Sequence, residues 1–512
     1  MMKRILFAIL AIITATPLFA QIEDDWEKEL LDFEKFRDSV FNDFEEFRRK
    51  ANEEFAEFLA EAWKPEPTQP AVEPPMKPKP VEPVIAPPRP SKPIGTDDPQ
   101  GLKDPDKPDV PVSPTVPWER PEDDLVLFNG EPIKPQPIER PQPAEPIKLS
   151  PRADVPMATF RFFDTPMNFH FGKDRTLRLK DATEKSVSEM WKQLSDSYYD
   201  NVIAECLENS QKQNLSDWGY LLLTKKVAEE YCGAGTNESV VMHMYLLTQS
   251  GFQVRIGRAN DKFSLMFASQ SIIYKYKYFN LSGEKYYILD KSLAGLPFYV
   301  FDHAFPKEKS LSLAITQPKL NVVQTQERTV TSQRYPEVSV TIETNQNLID
   351  FYNTYPLSSE WNTYSKASLS DVLKDDLYPV LKKAIKGKTE AAAANILLNF
   401  IQTGFEYKTD GQQFGYERPL FPDESFYYPY CDCEDRSILF SCFVRELMGL
   451  DVILLNYPDH LATAVHFNED IPGDFLMVEG KRYLICDPTY IGAEIGRCMP
   501  QYKIIEPKVQ TF

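Results

Sequence analysis

The sequence Cys431-Asp-Cys-Glu-Asp435 leads into an apolar run from Ser437 to Gly449, and this stretch decides the fold. The apolar run predicts a helix, and it places Cys433 at or just before the first helical turn. Two short apolar segments follow, Val452–Leu455 and Leu461–Val465, and both have the length and composition of strands. The order of elements is therefore helix, strand, strand, with a thiol at the start of the helix.

Three polar residues along this stretch form a workable nucleophile system. The partial positive charge at a helix N-terminus favours a thiolate, so Cys433 is the predicted nucleophile. His460 stands at the mouth of the second strand, where it is the predicted base, and Asp487 ends the next predicted strand, Tyr483–Cys486. An aspartate in that position can orient the imidazole. The backbone amides at the helix N-terminus are candidate donors to an oxyanion.

These residues resemble the transglutaminase-like branch of the papain-like cysteine enzymes. The matching pieces are Asp432-Cys-Glu-Asp435, Arg445, Gly449, His460-Leu-Ala-Thr-Ala-Val465 and Asp487-Pro-Thr489. The resemblance implies an α+β fold and acyl transfer from an amide, as peptide hydrolysis, amide hydrolysis or cross-linking. The sequence departs from the family in two ways: the interval from cysteine to glycine is one residue longer, and no tryptophan follows the histidine.

Other residues near the motif compete for roles in it. Cys431 is the rival nucleophile, but it fits the motif less well than Cys433. A metal site built from Cys431, Cys433, His460 and Cys486 is disfavoured, because Cys-x-Cys lacks the paired spacing of structural zinc sites. No metal and no cofactor are therefore expected.

Four further residues are given subordinate roles. Asp435 and Arg445 are expected to be structural, pairing or capping at the helix, and His466 is expected to pack. Gln413 is a weak candidate for an oxyanion donor. The aromatic run Phe426-Tyr-Tyr-Pro-Tyr430 is either the wall of a substrate cleft or, more commonly for such residues, part of the core.

The C-terminal two thirds of the chain contains the same pattern twice. With a shift of 198 residues, Cys433, Ser437 and Gly449 fall on Gly235, Ser239 and Gly251 without a gap. In the same alignment His460 falls on Lys262 and, with one residue of slippage, Asp487 falls on Asp290. We therefore predict a degenerate, non-catalytic domain at residues 151–325 and a domain with the Cys-His-Asp triad at residues 326–512, both transglutaminase-like.

The N-terminal region is predicted to have two parts. Residues 1–20 have a basic start, an apolar core and a small final residue, which is typical of a secretory signal peptide. Residues 21–64 repeat Asp32-Phe-Glu-Lys-Phe36 every 11 residues, so the phenylalanines fall on one stripe of an amphipathic helix. Two interpretations stay open: the stripe packs on its own protein, or it mediates self-association, as in a coiled coil.

Residues 65–150 are predicted to be a proline-rich, disordered linker. Proline fixes φ and removes a backbone donor, so this stretch is expected to be extended and to build neither ladders nor helices.

Composition limits the classes of binding partner, and the signal peptide limits the cellular location. The formal charge of −19 argues against nucleic acid and against anionic membranes. The signal peptide predicts export to the periplasm or the cell exterior. No later transmembrane helix is expected after signal cleavage. The primary hypothesis is a cysteine-dependent amide or peptide hydrolase, or an acyl transferase, with a protein or peptide substrate. The alternative is a non-catalytic scaffold that binds peptide or cell-wall polymer with a remnant triad.

Overall fold

The computed structural model describes residues 42–74, 84–87, 155–172, 176–358 and 360–511. The predicted signal peptide, the first half of the predicted helix 21–64 and most of the proline-rich stretch lie outside these residues. Helices and sheets both occur, which confirms the α+β class in its coarse form. Within these ranges, no helix has both the length and the apolar composition that crossing a bilayer requires.

The N-terminal helix packs against the rest of the chain. Residues 42–59 form helix α1, and its residue Phe55 is buried with its ring 4.7 Å from that of Trp191. Asn52 Oδ1 accepts a hydrogen bond from the indole of the same tryptophan at 3.1 Å. The described part of the stripe therefore covers its own protein. Phe47 is 47% exposed, and self-association through the remaining stripe stays a prediction.

The start of the proline-rich stretch is a strand, which corrects our prediction that residues 65–150 build no ladder. Strand β1 (Lys64–Glu66) pairs antiparallel with Phe298–Val300. It lies at the edge of its sheet, where a strand needs donors on one side only, so the missing N–H of Pro65 is tolerated.

Two more positions of this stretch are also held by backbone bridges. Val72 forms a backbone bridge with Tyr274. The carbonyl of Val72 accepts a hydrogen bond at 2.9 Å from the N–H of Lys275, the residue after Tyr274. Ile85 bridges Ile491, whose N–H donates to the carbonyl of Val84 at 2.9 Å. The described parts of the stretch are therefore ordered against the folded domains.

In the described part of residues 155–325, here called the first lobe, there are four α-helices, one large sheet and a separate hairpin. The helices are α2 (Glu184–Leu194), α3 (Ser197–Lys212), α4 (Asp217–Cys232) and α5 (Asn237–Gln249). The strands are β2 (Met157–Phe162), β3 (Thr165–His170), β4 (Val254–Ala259), β5 (Lys262–Ala268), β6 (Tyr278–Leu281), β7 (Glu284–Ile288) and β8 (Phe298–Val300). β2 and β3 form a hairpin, and the other strands form the sheet together with β1.

Residues 326–511, here called the second lobe, repeat this plan with more helices. The strands are β9 (Arg328–Thr331), β10 (Ser339–Ile342), β11 (Val452–Asn456), β12 (Leu461–Val465), β13 (Phe475–Val478), β14 (Lys481–Cys486) and β15 (Lys508–Gln510). The helices are α6 (Gln346–Thr354), α7 (Trp361–Ser365), α8 (Asp371–Ile385), α9 (Glu390–Gly404), α10 (Asp410–Gln413), α11 (Glu424–Tyr427) and α12 (Cys433–Phe443). A π-helical turn, Val444–Met448, continues α12 to Gly449, whose φ is +62°.

The two sheets have the same strand order. In the first lobe it is β8-β4-β5-β7-β6, and in the second it is β15-β11-β12-β14-β13, with every neighbouring pair antiparallel. Helix α5 packs on β5 in the first lobe, and α12 packs on β12 in the second. Strand order is independent of the alignment of side chains, so it is separate support for the duplication.

The lobes share a core at their junction. Helix α6 packs into the first lobe, where the ring of Phe351 lies 5.5 Å from that of Phe163. Its neighbour Tyr352 stacks on Phe421 of the second lobe at 4.5 Å. The chain boundary that we predict near residue 325 is therefore followed by a helix that ties the lobes together.

We expect Phe55→Ala to destabilise the protein by about 3 kcal/mol, because a buried aromatic side chain is lost and the cavity cannot fully collapse. The matched control is Phe47→Ala on the same helix, where exposure should limit the change to about 0.5 kcal/mol. Urea denaturation of the full chain measures both. Equal effects of the two substitutions would contradict the docking of α1.

Candidate functional site

Cys433 is the first residue of α12, and its position is fixed by reciprocal capping. Asp432 is the N-cap, and its backbone N–H donates to Asp435 Oδ2 at 3.1 Å. Asp435 Oδ1 also accepts from the backbone of Leu420 at 2.8 Å. The prediction that Asp435 is structural is confirmed. Cys433 itself is 4% exposed, so the thiol sits at the positive end of a buried helix.

His460 and Asp487 form a buried pair at one edge of the second sheet. His460 precedes β12 and Asp487 follows β14, and these strands pair with Thr463 opposite Cys486. His460 Nε2 lies 2.9 Å from Asp487 Oδ2, and both side chains are 3% exposed. The other carboxylate oxygen accepts from the backbone of Thr489 at 2.9 Å. Because a carboxylate accepts, Nε2 carries the proton and Nδ1 is the nitrogen that remains for the thiol.

Helix α12 packs against the strand that follows His460. Ser437, one turn beyond Cys433, donates to the carbonyl of Leu461 at 2.8 Å, which holds α12 against the residue that follows His460. Cys433 packs in the same apolar cluster as Leu461. The predicted base therefore contacts the predicted carboxylate directly, and the predicted nucleophile packs against the residue after the base.

Two aromatic rings that the sequence did not single out lie near the imidazole and against each other. The ring of Tyr502 stacks on His460 at 5.0 Å and 14°, and Tyr457 lies 6.3 Å from it on a nearly parallel plane. The hydroxyl of Tyr502 donates to Asp459 Oδ1 at 3.1 Å. These contacts fix the plane of the imidazole. The sequence gives no signal for Tyr502, because this residue lies well beyond Asp487-Pro-Thr489, the last piece of the motif, and belongs to no repeat.

An acidic residue borders the thiol. Cys433 Sγ donates to Glu434 Oε2 at 3.1 Å, and Glu434 is fully buried. Oxygens of Asp410, Glu417 and Glu434 all lie within 4.8 Å of one another, and these carboxylates are close enough to share a cation. A carboxylate that accepts from a thiol favours the protonated form. The surroundings of Cys433 therefore combine a favourable helix end with an opposing negative charge.

The metal site that joins three cysteines to His460 is not formed. Within the described residues, the close groups of potential ligands contain neither His460, Cys431 nor Cys486. Cys431 lies in the apolar core, where burial raises its pKa to about 11. That environment also makes it a poor rival nucleophile, because the thiolate is the reactive form.

The remaining candidates take structural positions. The guanidinium of Arg445 donates to the carbonyls of Ser441 and Ser365, which confirms its structural role. His466 packs 5.6 Å from the ring of Tyr483, as expected. The amide of Gln413 donates to the carbonyl of Tyr430 at 3.3 Å, so this donor is already engaged within the fold.

The aromatic run before the cysteine lies only partly in the core, because Phe426 is its one buried residue. Phe426 is 2% exposed and lies 5.2 Å from Phe405 in an edge-to-face contact. Tyr428 packs against Phe414 at 5.1 Å. None of the run lines the cavity described next.

A cavity of about 520 Å³ opens at His460. Its wall includes Pro74, Tyr274, Trp361, His460 and Leu461, so the proline-rich stretch and both lobes contribute to it. Cys433 belongs to the same small apolar cluster as Leu461 and Trp361. His460 and Leu461 line this cavity, whereas Cys433 is not part of its wall.

Gln402, which the sequence did not suggest, clamps the loop after Asp487. Its amide nitrogen donates to the carbonyls of Asp487, Tyr490 and Ala493 at 2.9–3.2 Å, and its oxygen accepts from Gly492 at 3.2 Å. Gln402 lies on α9 and is 2% exposed. One side chain therefore satisfies four backbone groups of the loop that presents the carboxylate to His460.

Comparison of the chain with models of protein families, with curated proteins and with solved structures finds no match. The resemblance to transglutaminase-like enzymes therefore stays a prediction from the sequence motifs.

We expect Gln402→Leu to cost about 2 kcal/mol of stability, because buried carbonyls lose their donor without a change in volume. Hydrogen exchange at residues 487–493 should become faster, since their shared clamp is gone. The matched control is Gln333→Ala, an exposed position, which should change neither. Unchanged exchange in the Gln402 variant would contradict the clamp.

Proposed function

We propose that the chain is a cysteine-dependent amide or peptide hydrolase of transglutaminase-like fold, with two tandem domains of which the second is catalytic. The observation that carries this proposal is the buried His460–Asp487 pair at 2.9 Å, with His460 on the wall of a cavity and with Cys433, at the first turn of α12, packed in a cluster with Leu461. A paired imidazole next to a thiol at a helix N-terminus is the arrangement that activates a cysteine nucleophile.

The proposed reaction proceeds in two steps through a thioester. Nδ1 of His460 takes the proton of Cys433, the sulfur attacks the amide carbonyl, and the C–N bond breaks as the imidazolium returns the proton to the leaving amine. Water then attacks the thioester, its proton passes to His460, and the thiol is released. Asp487 holds the tautomer and stabilises the imidazolium. The amides of the first turn of α12 are the candidate donors to the oxyanion.

The wall of the cavity combines apolar and charged side chains. Pro74, Tyr274 and Trp361 supply apolar surface beside His460, and Glu417, Glu506 and Lys508 supply charged groups. A ligand with both apolar and polar groups can use such a wall. We therefore propose a protein or peptide substrate, and we propose that the protein acts after export. An acyl transfer to an amine in place of water is the same chemistry with a different second nucleophile.

The second candidate function is a non-catalytic scaffold that binds peptide or cell-wall polymer. The observation in its favour is the contact of Cys433 with the buried carboxylate of Glu434, because negative charge next to the sulfur opposes ionisation. In that case the cavity binds a chain without cleaving it.

We expect Cys433→Ala to abolish cleavage of a fluorogenic peptide-amide library by the full-length protein, with a loss of at least about 10³-fold. Cys431→Ala is the matched control, two residues away and also buried, and it should retain activity. Cleavage at the wild-type rate by the Cys433 variant would refute the proposed nucleophile.

Iodoacetamide labelling against pH, resolved by peptide mass spectrometry, separates the two functions. A catalytic Cys433 should label with a midpoint well below pH 8, whereas a midpoint near about 8.5, the value for a free thiol, would favour the scaffold. The other six cysteines are internal controls, because burial raises the pKa of each of them. They should label only at higher pH or after unfolding.

A further inference from the structure

The first lobe has a cavity of its own at the position of the degenerate site. Its volume is about 600 Å³. Gly235, Lys262 and Asp290, which align with Cys433, His460 and Asp487, all line it. The fold has therefore kept a cleft where the second lobe has its candidate site, although the thiol and the imidazole are gone.

Gly235 leaves room where the second lobe has its sulfur. Its φ is +70°, and a Cβ built on it meets no atom within 4 Å. Asp290 is engaged locally, because its Oδ1 accepts from the backbone and the hydroxyl of Ser292 at 2.9 and 2.6 Å. The space at Gly235 is therefore open, and the carboxylate of Asp290 is hydrogen-bonded within its own turn.

The cavity carries an excess of positive charge in an acidic protein. Lys225 forms an ion pair with Glu229, and Lys291 Nζ lies 3.7 Å from the ring centre of Tyr276. Lys262 is exposed at the rim and has no ion pair or ring contact within the described part of the chain. Its ammonium is thus available to a carboxylate that enters the cavity.

A buried histidine on the same wall offers an acceptor. His243 is 3% exposed and lines the cavity. Its Nε2 lies 3.0 Å from the carbonyl of Leu221, which can only accept, so Nε2 carries the proton. Burial lowers its pKa to about 3, so the ring is neutral. Nδ1 has no hydrogen-bond partner among the described residues, and a neutral ring nitrogen in that state accepts from an N–H.

We propose that this cavity is a non-catalytic binding site for a peptide carboxylate, with Lys262 on the carboxylate and His243 Nδ1 accepting from a ligand N–H. The combination of one unpaired cation, one buried acceptor and space at Gly235 matches an acidic peptide, and the thiol and imidazole of the second lobe are absent from the aligned positions. The carboxylate belongs either to an acidic side chain or to a free C-terminus. The proposal stands whether or not Cys433 is catalytic.

The test is isothermal titration calorimetry on full-length Cys433→Ala protein, in which no thioester can form. Three probes separate the sources of the carboxylate: N-acetyl-Ala-Ala with a free C-terminus, N-acetyl-Ala-Glu-Ala-amide, and neutral N-acetyl-Ala-Gln-Ala-amide. We expect one acidic peptide to bind about tenfold more tightly than the neutral one, as a charged hydrogen bond requires.

Lys262→Met should weaken that binding about tenfold, whereas Lys319→Met, an exposed lysine outside the cavity, should leave it unchanged. Lys262→Arg should retain most of the affinity, because the charge is kept. Equal binding of acidic and neutral peptides, unchanged binding to the Lys262→Met protein, or no binding at millimolar concentration would each overturn the proposal. None of these outcomes affects the test of Cys433, which uses cleavage.

Discussion

The burial of the first turn of α12 is the constraint on which the site depends. Every residue of this helix is buried, so its polar groups need partners inside the protein. Asp432 and Asp435 cap it reciprocally, and Arg436 donates to the carbonyls of Gln402 and Phe405 at 3.2 and 2.8 Å. These bonds leave the helix little freedom to shift, and they hold the thiol of its first residue at a fixed height above the sheet.

The first lobe shows which of these features the fold itself needs. Helix α5 is capped by Thr236, whose hydroxyl accepts from Ser239 at 3.1 Å, and the sheet keeps its strand order. Capping, apolar contacts and the strand order are thus retained without a thiol or an imidazole. The first lobe forms the same strand order with Gly235 and Lys262 at the aligned positions, which favours a role for Cys433 and His460 in chemistry or binding.

The sequence was sufficient to predict the parts of the site that follow a local apolar pattern. Helix α12 and strands β11, β12 and β14 were predicted from apolar patterning, and the strand pairing then brings His460 to Asp487. It was not sufficient for Gln402 and Tyr502, because each acts on the site across a long separation in sequence and neither belongs to a local pattern. Glu434 was visible in the motif, but its contact with the sulfur depends on a rotamer that no spacing determines.

The expectation that the proline-rich stretch builds no ladder is corrected only at its described residues, 65–74 and 84–87, for a related reason. A high proline content prevents a segment from forming helices or central strands by itself. It does not prevent the segment from pairing with the edge strand of an existing sheet. Here Val72 is held by the first lobe, and Ala86 donates to Ile491 in the second at 2.8 Å. Ala86 also packs in the cluster that contains Tyr457 and Tyr502, the two rings beside His460.

Docking at both places is physically reasonable because a proline-rich chain has little conformational entropy to lose. Pro74 forms part of the wall of the same cavity as His460, so the stretch contributes directly to the surroundings of the imidazole. The described parts of this stretch, 65–74 and 84–87, therefore contact both lobes, and Pro74 adds to the cleft that His460 lines, so the second lobe does not build the candidate cleft alone.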